Sequence, residues 1–213
     1  MPKSKLRNII WDFDGVILKS QDVRDYGFME VFKNYPPNRV QQLMDYHHQN
    51  GGLSRYVKIR YFYEDVMNEE ISDEDVLLLA NKFSQIMKKQ LTNDKLLIDD
   101  AISYIRANYL KFNFHIASGS DGRELQYLCE KLGINKYFKS IHGSPVPKKT
   151  LVNDILTSNK YYKKATCLIG DSQNDKDAAL SNGIIFYGYN NLDLKSECKY
   201  IDSFATFTKK IQA

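Results

Sequence analysis

Two acids stand two residues apart in Trp11-Asp12-Phe13-Asp14-Gly15-Val16, directly after the apolar run Leu6 to Trp11. An acid ending a buried strand, a second acid two residues on and then a glycine put a nucleophile and a proton donor at the carboxyl edge of a sheet. Phosphoryl transfer through a covalent aspartyl phosphate needs both, because a carboxylate that attacks phosphorus cannot also protonate the departing oxygen. Taken alone the pair is weak evidence, since strand ends also carry acids as turn formers.

Three further segments follow in order. The run Phe112 to Ala117 leads into Ser118-Gly119-Ser120, a hydroxyl and backbone amides suited to phosphoryl oxygens. The loop Gly143-Ser144-Pro145-Val146-Pro147-Lys148-Lys149-Thr150 delivers a lysine at the start of a helix. A fixed ammonium there neutralises charge on the nucleophile and the transferring group; Lys148 is the choice, with Lys149 open. The run Ala165 to Ile169 ends in Gly170-Asp171-Ser172-Gln173-Asn174-Asp175, where Asp175 is equally read as a helix N-terminal acid. Asp12, Asp14, Asp171 and Asp175 gathered at one edge would repel strongly without a cation. Oxygen-only ligands of this kind select Mg²⁺.

The elements that must position these residues are legible as short apolar runs at Leu6 to Trp11, Phe112 to Ala117, Ala165 to Ile169 and Ile184 to Tyr189, with Tyr200-Ile201 as a short edge strand. Helix-like sequence separates them, the pattern of an α/β parallel sheet. One helical face reads Leu125, Leu128, Cys129, Leu132 with Gly133 as its stop; a second reads Ala101, Ile102, Ile105, Tyr109. From about Ser20 to Lys95 helical periodicity runs without a convincing strand. Val76, Leu79, Ala80, Phe83 and Met87 share a face there, after the capping signal Ser72-Asp73-Glu74-Asp75. Pro36-Pro37 and Asn50-Gly51-Gly52 are predicted turns. The fold class is therefore α/β, a Rossmann-like parallel sheet with an inserted all-helical domain. The expected boundaries are 1–18 and 96–213 for the core and 19–95 for the insertion.

Composition sets the outer limits. The chain has 213 residues, 43% apolar and 26% charged, enough to bury a core. A net charge of +4 is too mild and dispersed for nucleic acid, and lysine pairs such as Lys88-Lys89, Lys163-Lys164 and Lys209-Lys210 read as solvated. Cys129, Cys167 and Cys198 have neither metal spacing nor an even count, which fits a reducing cytoplasm. The start, Met1 to Arg7, precedes an apolar run too short for a signal or membrane span. A soluble, unprocessed cytoplasmic protein is expected, a monomer or small homo-oligomer. His47-His48 has no third ligand at matching spacing, so no metal site is expected there. Trp11 reads as core, and the aromatics from Tyr56 to Tyr63 as a packing face.

In the order and types of these motifs the chain resembles the haloacid dehalogenase superfamily, in its subgroup with a helical cap. The resemblance rests on Asp12-Phe13-Asp14-Gly15-Val16, Ser118, Lys148 and Gly170-Asp171-Ser172-Gln173-Asn174-Asp175 and spans nearly the whole chain. It implies Asp12 as nucleophile, Asp14 as acid and base, Lys148 as catalytic cation, and Ser118 and Gly119 on the phosphoryl group. It also implies Mg²⁺ at Asp12, the Asp14 backbone carbonyl and Asp171, with Asp175 binding or supporting the metal. Gly51-Gly52-Leu53-Ser54-Arg55-Tyr56 is similar to the cap loop of β-phosphoglucomutases, which makes Arg55 the candidate for a distal phosphate; the bland alternative is a solvated first-turn residue after a Ser54 cap. Lys19 departs from that pattern, standing where an acid is common. The implied activity is Mg²⁺-dependent hydrolysis of a small phosphorylated metabolite such as a sugar phosphate. Phosphomutation is the alternative, and a non-catalytic binding protein on the same fold the third reading.

Overall fold

A computed structural model describes residues 5–207, so the Lys209-Lys210 pair and the first four residues lie outside the described part. Six parallel strands form one sheet: β1 (Asn8–Trp11), β2 (Asn113–Asp121), β3 (Ser140–Ser144), β4 (Thr166–Gly170), β5 (Ile185–Tyr189) and β6 (Lys199–Ile201). Their order is β3-β2-β1-β4-β5-β6. After β3 the chain returns to the other side of β1, so a topological switch point falls beside β1, where loops diverge and a ligand crevice opens.

All four β1 residues are buried, as a central parallel strand requires. The pleat sends Ile9 and Trp11 into one apolar layer with Phe114 and Ile116, and Ile10 into the other with Ala117 and Leu168. α5 (Asp99–Asn108) and α6 (Gly122–Lys131) cover the first face; α7 (Lys148–Ser158) and α8 (Gln173–Ser181) cover the second. The buried side of α6 is Leu125, Leu128 and Cys129, and Gly133 follows at φ 67° as the left-handed stop.

Between β1 and α5 run α1 (Gln21–Val31), α2 (Pro37–Gln49), α3 (Arg55–Tyr61) and α4 (Asp73–Gln90), with no strand of the sheet among them. Ser72 Oγ accepts from Asp75 N at 3.1 Å and starts α4, whose Val76, Ala80, Phe83 and Met87 are buried. Phe83 packs on Phe28 of α1 and Phe32 of the same region on Phe62, with ring centroids 4.6 and 4.4 Å apart.

Three details differ from the sequence expectations. The Pro36-Pro37 turn is followed at once by helix, Pro37 being the first residue of α2, where a missing N–H costs nothing. Strand β3, Ser-Ile-His-Gly-Ser, was not expected: it is an edge strand of partly buried small and polar residues, without an apolar run. Strand β2 runs on to Asp121, so Ser118-Gly119-Ser120 is strand rather than the loop after it.

Candidate active site

The carboxyl edges of β1, β2 and β4 line a cleft of about 810 Å³ that α1, α2 and α3 face from the other side. Asp12 is 2% exposed. Lys148, 4% exposed at the first position of α7, donates from Nζ to Asp12 Oδ1 at 2.8 Å and to Asp175 Oδ1. Of the two lysines offered by sequence, the structure brings Lys148 to the acids. Burial opposes its charge, but Asp12 and Asp175 outweigh burial and hold it above the ordinary lysine range. Asp171 ends β4 and completes the group: ligand oxygens of Asp12, Asp171 and Asp175 lie within 4.8 Å of one another.

The cluster is short of positive charge. Burial, then the charge of Asp175, push Asp12 up to about 7 despite Lys148. Burial, then Asp12 and Asp175, push Asp171 well above the usual carboxylate range. Gly15 leaves Asp171 its place, because a Cβ there would lie 1.9 Å from Asp171 Oδ2. An all-oxygen, over-charged donor set of this kind fits a hard divalent cation. Asp175 is the most committed of the three. Its Oδ2 accepts from Ser172 N at 3.0 Å and Ser172 Oγ at 2.6 Å in a capping box at the start of α8.

Asp14 is held differently. Its Oδ1 accepts from Ser20 Oγ at 2.6 Å and Arg24 Nε at 2.7 Å, and its Oδ2 from Ser120 Oγ. Burial would raise it, but Arg24 and the two hydroxyls keep it below the ordinary carboxylate value. Ser118, 1% exposed, accepts the Ser120 amide on Oγ at 3.1 Å.

The helical insertion meets the sheet edge closely. Gly119 faces the Gly52 carbonyl, and a Cβ at Gly119 would lie 2.2 Å from that oxygen. Gly52 itself has φ 81°, and Asn174 Nδ2 donates to its carbonyl at 3.0 Å. Arg55 follows this loop and lines the cleft, but it is not a solvated residue: it is 4% exposed. Its Nη1 donates to Glu124 Oε2 at 2.6 Å and Ser84 Oγ at 2.7 Å, its Nη2 to Glu124 Oε1 at 2.9 Å, and its guanidinium carbon sits 4.4 Å above the Phe83 ring. Glu124, fully buried on α6, also accepts from Arg24 Nη1 at 3.3 Å. Ser54 precedes α3 without a side-chain capping bond.

Sequence reasoning missed Arg24, Glu124, Lys58 and Ser20. None stands in a spacing pattern; Glu124 resembles an ordinary first-turn acid, and Arg24 and Lys58 ordinary surface cations. The third partner for His47 and His48 comes from another helix. Asp25 receives His47 Nε2 at 3.0 Å and His48 Nε2 at 2.9 Å on its two oxygens.

The sequence matches the family of haloacid dehalogenase-like hydrolases over residues 9–189, and the chain belongs to that family. No protein of curated function matches it in sequence. Solved structures share its fold at low identity. A β-phosphoglucomutase from Clostridium difficile is 14% identical with TM-score 0.75, each chain covered to 97%. A predicted phosphatase from Clostridium acetobutylicum is 16% identical with TM-score 0.75, covering 97% of this chain and 99% of its own. CbbY from Rhodobacter sphaeroides, in complex with xylulose-(1,5)bisphosphate, is 14% identical with TM-score 0.73, covering 94% of this chain and 95% of its own. Among the described residues no helix is long and apolar enough to cross a membrane.

Proposed function

We propose that the protein is a Mg²⁺-dependent phosphohydrolase of small phosphorylated metabolites that works through an aspartyl phosphate on Asp12. The observation that carries this reading is the grouping of buried Asp12 and Lys148 with half-buried Asp171 at the switch point of the sheet, with Lys148 Nζ 2.8 Å from Asp12 Oδ1. Asp12, the Asp14 backbone carbonyl and Asp171 would hold the metal. When bound, it would neutralise the clustered carboxylates and polarise the phosphoryl oxygens. Asp175, with both oxygens engaged, has the task of holding Lys148 and the Ser172 turn.

Asp12 attacks phosphorus, and the bond to the ester oxygen breaks as Asp14 gives that oxygen its proton. Lys148 stabilises the charge that moves onto the transferring group, while Ser118 and the Gly119 amide hold its oxygens. Water then cleaves the aspartyl phosphate, with Asp14 taking the water proton. The bonds from Arg24, Ser20 and Ser120 keep Asp14 a carboxylate, the form needed in this second half.

The helical segment 19–95 acts as a cap over a core of 1–18 and 96–213. A substrate contact by Arg55 requires Glu124 to release it. Phosphomutation would differ only in the acceptor, a second hydroxyl in place of water, and a cleft of about 810 Å³ has room for a sugar phosphate. The test is phosphate release from sugar, nucleotide, amino-acid and three-carbon phosphates with Mg²⁺, using Asp12→Asn as the blank. Release that needs Mg²⁺ and Asp12 upholds the reading. Isomerised sugar phosphate without net release turns it to the mutase, and release undiminished in Asp12→Asn, or none from any ester, overturns it.

A further inference from the structure

One buried cation in the cleft wall has no place in the chemistry at Asp12. Lys58, on α3, is 3% exposed and lines the cleft. Its ammonium donates to His47 Nδ1 at 2.7 Å and to the His47 carbonyl at 3.4 Å, both neutral acceptors, and it joins no ion pair among the described residues. Since Nδ1 accepts, the His47 proton belongs on Nε2, where it meets Asp25 Oδ1 at 3.0 Å. A neutral ring therefore stands between Lys58 and that carboxylate and fixes where the ammonium points.

The other cations nearby are matched differently. Lys148 has two carboxylates, and Arg55 has Glu124, Ser84 and the Phe83 ring. Arg24 is intermediate: Nε serves Asp14, Nη1 serves Glu124, and Nη2 is buried without a partner. Arg24 and Lys58 repel each other, and both line the cleft. Buried charges are ordinarily paired, so a buried ammonium held only by neutral acceptors, facing a cavity beside the one unpartnered nitrogen of Arg24, marks a place for an anion from outside the chain.

Resting on the phosphohydrolase reading above, we propose that Lys58, with Arg24 beside it, forms a second anion subsite on the helical wall of the cleft. The substrate is then a phosphate monoester carrying a second acidic group, a carboxylate or another phosphate. The reacting phosphoryl group lies at Asp12 and Ser118, and the second acid reaches Lys58. Recognition of the far end thereby passes from Arg55, whose guanidinium is saturated within the protein, to a cation that is not. An ester with a neutral end would leave the ammonium unpaired, which is how a polar site rejects an analogue lacking the matching group.

The test measures binding by calorimetry with Mg²⁺ in the Asp12→Asn chain, where turnover does not intervene. Two ester pairs are compared: 3-phosphoglycerate with glycerol 3-phosphate, and glucose 1,6-bisphosphate with glucose 6-phosphate. In at least one pair the acid-ended ester binds about tenfold tighter or more. Adding Lys58→Met cuts that ratio about tenfold, and Lys58→Arg keeps most of it. The pair that responds tells carboxylate from phosphate. A ratio near one in both pairs overturns the proposal, as does a ratio that Lys58→Met leaves unchanged because both members weaken alike. Phosphate release by the natural chain is scored separately. If no ester is hydrolysed but the ratio and its loss on Lys58→Met hold, the hydrolase reading fails and the subsite stands.

Discussion

The two walls of the cleft match their charges differently. The sheet wall brings Asp12, Asp171 and Asp175 to a single ammonium, Lys148, and the surplus is negative. The helical wall brings Arg24, Arg55 and Lys58 to two carboxylates across the gap, Glu124 and Asp14, while Asp25 is turned to His47 and His48. On the sheet wall the acids outnumber the cation; on the helical wall each carboxylate is bonded to another group, and Lys58 is left with neutral acceptors. A divalent metal on the first and a doubly acidic ester between them would answer both shortages. On the proposed reading the comparison also separates roles: the sheet wall makes and breaks bonds, and the helical wall matches the ligand.

The sharpest way to break this division is Asp12→Asn. Phosphate release should fall about 10⁴-fold or more, measured by colorimetric phosphate assay on protein whose circular dichroism is unchanged. Activity surviving at a tenth of the natural rate would remove the sheet wall's claim to the chemistry.

Next comes Glu124→Ala, which strands two buried guanidinium groups. Removing one side of a buried ionic group typically costs about 3–5 kcal/mol, and urea unfolding should show a loss of that size. A loss below about 1 kcal/mol, the size of a surface pair, would mean that the arginines are not held by Glu124.

The helical wall has its own pH signature. Burial, then Arg24, push Lys58 down to about 7. Between that value and the ordinary lysine range the unfolded chain binds a proton that the folded chain does not. Stability from this group therefore rises with pH through that window, by at most about 1.4 kcal/mol per pH unit. Lys58→Met removes the contribution, so its stability relative to the natural chain should be greatest near pH 7 and decline toward pH 10, followed by thermal unfolding. A difference that stays flat with pH would place Lys58 in water.

The smallest effect concerns the seam between the walls. Tyr56 donates to Asp121 Oδ2 at 2.7 Å across it. Tyr56→Phe should cost about 1 kcal/mol in the same unfolding experiment, the net worth of one hydrogen bond.

Much of the sheet wall was legible beforehand. Asp12, Lys148 and Asp171 each follow or precede a punctuated element, and a parallel sheet sends such ends to one edge. The strand Ser140–Ser144 was not legible, because an edge strand need not bury an apolar run. Sequence left Asp175 open between a helix N-terminal acid and an acid of the metal group; the structure makes it a capping residue that also bonds Lys148. On the helical wall the sequence pointed to Arg55 but not to its partner. Glu124 lies 69 residues away, and no local pattern marks a pair at that separation.

Periodicity and turn chemistry, which act between near neighbours, were enough to specify an α/β sheet, a helical insertion after the first strand and four acids at strand and helix ends. Which cation is neutralised and which is left for a ligand is a matter of distance and burial between residues far apart in the chain. Lys58 and Arg55 sit three residues apart on one short helix. Only the packing of that helix over α6 gives Arg55 a carboxylate and leaves Lys58 with an imidazole.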